Sequence, residues 1–229
     1  NNISVTDSDS EFGYVVKIYN GDGYSEYSFN AISEDNVISL ANDIKNSIKL
    51  PFLKQKHVNA GQIKESRLVK SFFREDLNPV SDEEAVELLI KIKDQILSYD
   101  ETIVNAMAMY NNIRISKIFI SEAKALDQYY TWTNVYAMPV ARRDGVMKIA
   151  RCILGYNDSK KTFDECFLKI NETCDLAIKL LDAKPITPGV YDVITDPSIT
   201  GLIAHEAFGH GVEMDMFVKN RAKGKDYIG

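Results

Sequence analysis

The sequence predicts an α+β fold in which helices pack on an antiparallel β-sheet meander, and three observations support this prediction. Apolar residues recur at helical spacing in three separate segments of the chain. Between the second and third of these segments, residues 102–156 alternate between apolar and polar side chains, which is typical of strands. Farther along, residues 190–195 form a predicted strand that leads into a short helix carrying two histidines.

The first elements are a predicted β-hairpin and a helix. Residues 12–19 and 24–29 alternate on either side of residues 20–23, whose two glycines suit a tight turn. Ser33 is placed to cap the following helix, and Pro51 is placed to end it.

The next part of the chain has less pattern. Residues 51–80 show no regular spacing of apolar side chains, and His57 within them is interpreted as a surface histidine. Ser81 and Glu84 form a capping box, which predicts a helix that ends near Tyr99. A third helix is predicted over residues 163–182, after the strands.

Four strands are predicted in the middle of the chain, over residues 102–110, 113–121, 127–141 and 145–156. The short connections between them require antiparallel pairing. The third strand carries an aromatic cluster that consists of Tyr129, Tyr130, Trp132 and Tyr136. Aromatic residues are common in strands, so ordinary packing is the favoured interpretation, and a peptide-binding sheet face is the alternative.

The composition is that of an ordinary globular chain, and it disfavours two kinds of partner. Of 229 residues, 45% are hydrophobic and 26% are charged, and the formal net charge is −6. A nucleic-acid-binding surface needs clustered Lys and Arg, so no nucleic acid partner is expected. No apolar run approaches the roughly 18 residues that indicate a membrane span, and Asn1 does not begin a signal peptide.

The cysteines favour a reducing compartment. Cys152, Cys166 and Cys174 are odd in number and include no C-x-x-C pair, which is typical of free thiols in a cytoplasmic protein. Cys166 and Cys174 lie on the apolar stripe of the predicted helix over residues 163–182. They are therefore interpreted as core residues rather than metal ligands.

The clearest chemical signature is a histidine motif in the predicted C-terminal helix. Asp196 and Pro197 suit the N-cap and the first position of this helix. Two of the three histidines follow, His205 and His210, and Glu206 stands next to the first. Two imidazoles and a carboxylate that can accept a proton are the components of a site where a metal ion activates water. The alternative is that both are ordinary helix histidines without a ligand.

The spacing of the two histidines predicts a distorted helix. They are five positions apart, which corresponds to about 140° around a regular α-helix, so they could not both face one ion. A single i→i+5 turn would bring them to the same side, and such turns tend to occur at functional sites. Gly209 and Gly211 flank His210 and are interpreted as the residues that permit this distortion.

Three stretches within residues 180–215 carry a family resemblance: Leu-Leu-Asp-Ala-Lys-Pro, Gly-Val-Tyr-Asp-Val-Ile-Thr-Asp-Pro and His-Glu-Ala-Phe-Gly-His-Gly-Val-Glu-Met-Asp. Together they resemble the TldD/PmbA family of metallopeptidases, also called modulators of DNA gyrase. The chain is similar to the TldD-type subunit, which carries His-Glu-x-x-x-His, rather than to the partner subunit that lacks this motif. The order of elements upstream is similar as well.

The resemblance implies a zinc-dependent peptidase that acts on unfolded peptides or small proteins. It implies that His205 and His210 bind Zn²⁺ together with a cysteine from a C-terminal domain outside these 229 residues. Glu206 is then expected to act as general base on the water that the metal activates. The family also implies a heterodimer with a paralogous TldE/PmbA-type subunit, and a homodimer is the other form considered. The 229-residue chain alone is expected to be inactive.

Two further acids follow the motif. Glu213 and Asp215 are candidates to orient the histidines by hydrogen bonding to them, a role that carboxylates often take at metal sites. The alternative is that both are surface acids without a specific function.

The domain organisation follows from these elements. Residues 1–184 are predicted to form an N-terminal α+β domain of the TldD/PmbA type, and residues 185–229 a linker, strand and motif helix. Pro185 and Pro188 mark the linker. Because the sequence has no initiator Met and stops soon after the motif, it is interpreted as the N-terminal part of a longer protein.

Three other functions compete with the peptidase interpretation. A non-catalytic assembly or scaffold subunit with a structural or vestigial metal site is the main alternative, although such a site would not need the base Glu206. A zinc amidase that acts on small molecules is the second. A DNA-binding regulator of gyrase is least consistent with the net charge of −6.

Overall fold

A computed structural model of the chain describes residues 3–6, 11–19, 24–48, 66–213, 216 and 221. The chain separates into two compact units. The sheet unit comprises Lys64–Val190, and the motif unit comprises Asn1–Ile63 together with Tyr191–Gly229. The domain boundary expected at residue 184 stays a prediction.

The motif unit begins with the hairpin that the sequence predicts. Strand β1 (Tyr14–Tyr19) pairs antiparallel with β2 (Tyr24–Phe29), and residues 20–23 of the predicted turn lie outside the described residues. On the hairpin, the rings of Tyr14 and Phe29 stack with centroids 5.6 Å apart.

Helix α1 (Val37–Ser47) starts later than predicted. Ser33 begins a turn that precedes the helix, because its C=O accepts from the N–H groups of Asn36 and Val37. The side-chain oxygen of Asn36 accepts in return from the N–H of Ser33, at 2.7 Å. Ser33 is therefore not the helix cap, and Pro51, expected to end the helix, lies outside the described residues.

The sheet unit contains five strands and two long helices, and the fold class is α+β as predicted. In chain order the elements are β3 (Leu68–Arg74), α2 (Asp82–Leu97), β4 (Ile103–Ile120), β5 (Lys124–Arg143), β6 (Val146–Ile149), β7 (Cys152–Tyr156) and α3 (Ser159–Lys179), followed by a 3₁₀ turn over Leu180–Asp182. The cap of α2 is confirmed, because Ser81 Oγ accepts from the N–H of Glu84.

Strand β5 is the centre of the sheet, because the other four strands all pair with it. Strand β4 runs antiparallel along one edge of β5 over nearly its whole length. The opposite edge is shared by three shorter strands placed end to end: β3 in parallel orientation, then β7 and β6 in antiparallel orientation. The sheet is therefore mixed, and only its β4–β5–β6 part follows a simple meander.

Two of the predicted strand boundaries are wrong. The strands expected over residues 102–110 and 113–121 form the single strand β4, because Asn111 and Asn112 continue the ladder opposite Asn134 and Thr133. The strand expected over residues 145–156 is divided into β6 and β7. The division faces Pro139 of β5, which has no N–H to donate to a neighbouring strand.

Strand β3 was not predicted, and it lies in the stretch that shows no pattern. All seven of its residues are exposed, so neither face imposes the alternation of apolar and polar residues by which strands are recognised. It joins the sheet through parallel pairing from Leu68 opposite Lys124 to Arg74 opposite Tyr130.

The hydrophobic core lies between α2, α3 and one face of the sheet. Along β5, residues Thr133, Val135 and Ala137 are buried toward this core, whereas Trp132 on the opposite face is 45% exposed. From α3, the fully buried side chains include Phe163 and Ile170. The helices therefore cover one face of the sheet and leave the other open.

The segment between the sheet unit and the motif helix is not a strand. Residues 183–196 form neither helix nor strand, and no described strand pairs with residues 190–195. The apolar side chains that suggested a strand are exposed, among them Val193 at 73%. A strand needs a partner for its backbone groups, so the expectation of a strand leading into the motif helix is wrong. In the part of the chain that the structure describes, no helix is both long and apolar enough to cross a membrane.

Candidate metal centre

The motif helix begins as the sequence predicts. Helix α4 spans Pro197–Ala204, with Asp196 as its N-cap and Pro197 in the first turn. Asp196 Oδ1 accepts from the N–H of Ile199 at 2.8 Å, which satisfies one of the N–H groups that a helix start leaves without a partner. These hydrogen bonds hold the pKa of Asp196 below its usual value, first through the N–H of Ile199 and then through the hydroxyl of Ser198.

The predicted i→i+5 turn is present. Residues His205–Gly209 form a π turn, in which the N–H of His210 donates to the C=O of His205. A short 3₁₀ turn over His210–Val212 follows. The helix thus widens at the point where the five-residue spacing of the histidines requires it.

The π turn brings three potential ligand groups together. One atom each from His205, Glu206 and His210 lie within 4.8 Å of one another. The two imidazole rings meet edge to face, with centroids 4.6 Å apart and planes at 76°. Glu206 Oε2 lies 3.6 Å from Nε2 of His210. All three side chains are exposed, so the cluster is accessible from solvent.

Glu213 contacts the second histidine from the other side of the ring. Its Oε1 lies 2.9 Å from Nδ1 of His210, so Nδ1 can donate to the carboxylate while Nε2 keeps a lone pair. A histidine held in this tautomer presents Nε2 to a metal ion. Asp215, the other acid considered for this role, lies outside the described residues.

The flanking glycines do not use their conformational freedom. Gly209 has φ −56° and ψ −51°, which any residue adopts in a right-handed helix. A Cβ added to Gly209 would meet only the C=O of Ala204 at 3.8 Å, and one added to Gly211 would meet nothing within 4 Å. Neither Gly209 nor Gly211 has a positive φ, so the interpretation that their conformational freedom permits the distortion is wrong.

The remaining candidate ligands do not join the cluster. Cys152, Cys166 and Cys174 are free and buried, and all three belong to the hydrophobic core of the sheet unit, as the core interpretation of the helix cysteines expects. His57 lies outside the described residues. Among the described residues, His205, Glu206 and His210 form the one group with the composition and spacing of a metal site.

The chemistry of this group suits a zinc ion. Imidazole nitrogen and carboxylate oxygen are both common Zn²⁺ ligands, and the three groups lie within 4.8 Å of one another. If Glu206 is kept for proton transfer, two histidine ligands remain, one fewer than the three protein ligands of known catalytic zinc sites.

Comparisons with known proteins agree with the motif. No protein-family model matches the chain. A protein named as a metalloprotease from Methanocaldococcus jannaschii is 26% identical over 229 aligned residues, which cover 95% of this chain and 48% of that protein. A protein named as a metalloprotease from Synechocystis is 46% identical over 101 residues, covering 44% of this chain and 22% of its own length.

A solved structure from the comparison shares the fold. It is a Bacteroides thetaiotaomicron protein provisionally described as a modulator of DNA gyrase, with a TM-score of 0.60 at 13% identity. The match covers 85% of this chain and 45% of that one. The chain therefore spans about half the length of the two proteins that match most of it. Together these similarities confirm the resemblance that the histidine motif suggests.

Proposed function

We propose that this chain, with the fold and histidine motif of the TldD/PmbA family, acts as a zinc-dependent metallopeptidase subunit that hydrolyses unfolded peptides or small proteins. The observation that carries the proposal is the convergence of His205, Glu206 and His210 on one side of the π turn, within 4.8 Å. Relatives named as metalloproteases support the same reaction class.

In this proposal His205 and His210 hold the ion, and Glu213 fixes the ring of His210 through its Nδ1. A bound Zn²⁺ supplies Lewis acidity, which polarises the scissile carbonyl and acidifies water. Glu206 takes the proton from the attacking water and delivers it to the leaving amine. A third protein ligand is expected outside these 229 residues, because the matched relatives are about twice as long.

The proposed partner comes from the family resemblance, and the proposed location comes from the cysteines. A paralogous TldE/PmbA-type subunit is the proposed partner, and a homodimer is the other form. The free thiols at Cys152, Cys166 and Cys174 favour the cytoplasm.

The test separates metal binding from proton transfer in the full-length protein. We expect Glu206→Gln to keep about one zinc per chain and to lower hydrolysis of an unstructured peptide by about 10²–10⁴-fold, because an amide cannot accept the proton. His205→Ala should lose both metal and activity, because it removes a ligand. Zinc is measured by elemental analysis and hydrolysis by the release of new amino termini.

Glu87→Gln is the matched control, since it makes the same change at an exposed position of α2 and should alter neither quantity. Hydrolysis by Glu206→Gln at the wild-type rate would remove Glu206 from the mechanism. Zinc in the wild-type protein without any hydrolysis would instead favour the scaffold alternative with a structural metal.

A further inference from the structure

A cleft opens on the sheet unit, away from the histidine motif in sequence. It has a volume of about 330 Å³ and is lined by Phe72, Arg74, Gln128, Tyr130, Thr131, Trp132 and Asn157. It lies where β3 ends opposite Tyr130 and β7 has its last pair opposite Thr133, so two residues of β5 are left between the two shorter strands. Its volume is in the range of small-molecule sites.

The walls of the cleft are aromatic. Phe72 and Trp132 are each 45% exposed, and Tyr130 meets Trp132 edge to face with ring centroids 6.5 Å apart. Phe72 pairs in register with Gln128, and Arg74 with Tyr130, which places these side chains on the face of the sheet that the helices leave open. Exposed rings that converge on a cavity provide a contact surface for an apolar or aromatic group.

Arg74 is the one cationic residue in the lining of the cleft, and it stands at one end of these rings. Nη2 of Arg74 donates to Oδ1 of Asn157 at 2.8 Å. Asn157 is only 8% exposed, and its C=O accepts from the N–H of Leu77, so its side chain is a fixed support for the guanidinium. Within the described part of the chain, Arg74 makes no ion pair, and its remaining N–H groups are available.

We infer that this cleft binds the C-terminal end of an apolar peptide, with the terminal carboxylate on Arg74 and the last side chain against Phe72 and Trp132. An oriented guanidinium matches the two oxygens of a carboxylate. A single cation beside three rings suits a monoanion attached to an apolar group better than a multiply charged phosphate. The site needs neither a metal ion nor Glu206, so it stands apart from the proposed catalysis.

The chain contains one tryptophan, and it lies in this cleft, so its fluorescence reports occupancy directly. The probe is N-acetyl-leucyl-phenylalanine as the free acid, and the comparison is the same dipeptide as its C-terminal amide. With the 229-residue chain in EDTA and excitation of Trp132 alone, the free acid should produce a saturable change in emission. The amide should bind about tenfold more weakly, because it has no charge to pair with Arg74.

Variants then assign the binding to the cleft. Arg74→Gln should weaken binding of the free acid about tenfold and leave binding of the amide unchanged, because only the charge-assisted contact is lost. The matched control is Arg114→Gln. Arg114 is an exposed residue of β4 that lies opposite Thr131 of β5. The alternation of β4 places its side chain on the other face of the sheet from the cleft. This control should bind both probes as the unmodified chain does, and urea midpoints establish that each variant is folded.

Equal affinity for the acid and the amide would overturn the inference, as would equal affinity of Arg74→Gln and Arg114→Gln for the acid. Calorimetric binding without any change in Trp132 emission would place the ligand elsewhere and would overturn it as well. Because the titration contains EDTA, its result is independent of whether the zinc mechanism is correct.

Discussion

At the scale of single residues, the buried thiols Cys152 and Cys166 form an interacting pair. The hydrogen bond with Cys166 lowers the pKa of Cys152 below its usual value, with smaller help from Thr173 and Lys169. The same contact raises the pKa of Cys166, and burial adds to it. The pKa of Cys174 is raised to about 11, mainly by burial. Three similar core positions are therefore predicted to titrate differently.

This difference predicts a site-specific pH dependence of alkylation. The rate of iodoacetamide labelling at Cys152 should rise with pH at a midpoint below the ordinary thiol value of 9.0, because the thiolate is the nucleophile, whereas Cys174 should need pH near 11. Mass spectrometry of the two peptides measures both rates. Between its lowered pKa and the ordinary value of 9.0, Cys152 has lost its proton in the folded chain and keeps it in the unfolded chain, so its contribution to the free energy of unfolding rises with pH over this range.

Two substitutions of Cys166 test the cause. Cys166→Ala removes the hydrogen-bond donor and should move the Cys152 midpoint upward toward the ordinary value of 9.0. Cys166→Ser keeps a donor of similar size and should move it less. An unchanged midpoint in Cys166→Ala would show that the neighbouring thiol is not what acidifies Cys152.

At the scale of elements, the π turn shows what a spacing can and cannot predict. The spacing of five positions from His205 to His210 correctly indicates an i→i+5 hydrogen bond, because a regular helix would point the rings about 140° apart. The role given to the glycines does not follow from spacing. Gly209 keeps helical angles, so the sequence feature that looked like the cause of the distortion is not required for it.

Gly209→Ala should therefore preserve the π turn. A Cβ at this position would make an ordinary contact with the C=O of Ala204, and alanine has the higher helix propensity. The His210 amide, which closes the turn, should exchange about two- to fivefold more slowly with solvent, corresponding to about 0.5–1 kcal/mol. Hydrogen exchange followed by NMR measures this.

Gly209→Pro provides the contrasting variant, because proline lacks the N–H and its ring collides with the preceding turn. It should speed exchange of the His210 amide and separate the two rings. Should Gly209→Ala behave like Gly209→Pro, the glycine would be essential after all.

Other elements show why sequence patterns fail in particular places. The capped helix after Ser81 is found because a polar cap and an apolar stripe are both local signals. Strand β3 is missed because its pairing with β5 is a long-range feature and none of its side chains is buried. Asn111 and Asn112 resemble a turn in sequence, yet the reversal occurs later, where the N–H of Ser121 donates to the C=O of Lys124.

At the scale of the whole molecule, the two units differ in how much they bury. The hydrophobic core extends from Ala85 to Ala177 and lies entirely in the sheet unit. None of the described residues in the motif unit is buried. Composition predicts a chain able to form a core, but only the contacts show that, among the described residues, the core lies in one unit.

We therefore expect the sheet unit, Lys64–Val190, to fold on its own. In urea it should unfold in one cooperative transition, with a midpoint matching that of the 229-residue chain, because the same core is lost in both. Circular dichroism measures both transitions. Phe163→Ala should lower the free energy of unfolding by about 3–5 kcal/mol in either chain, which ties the transition to this core. A fragment without a cooperative transition would contradict this division.

The central position of β5 determines where the chain can be cut to create new ends. Every other strand of the sheet reaches its neighbours only through β5, so a break within that strand would separate β4 from β3, β6 and β7 at once. The turn at Asp144 and Gly145, where both residues have positive φ, lies just past the end of β5 and carries no ladder partner. New chain ends are therefore tolerable at this turn and not within the strand, which makes β5 the indivisible part of the sheet.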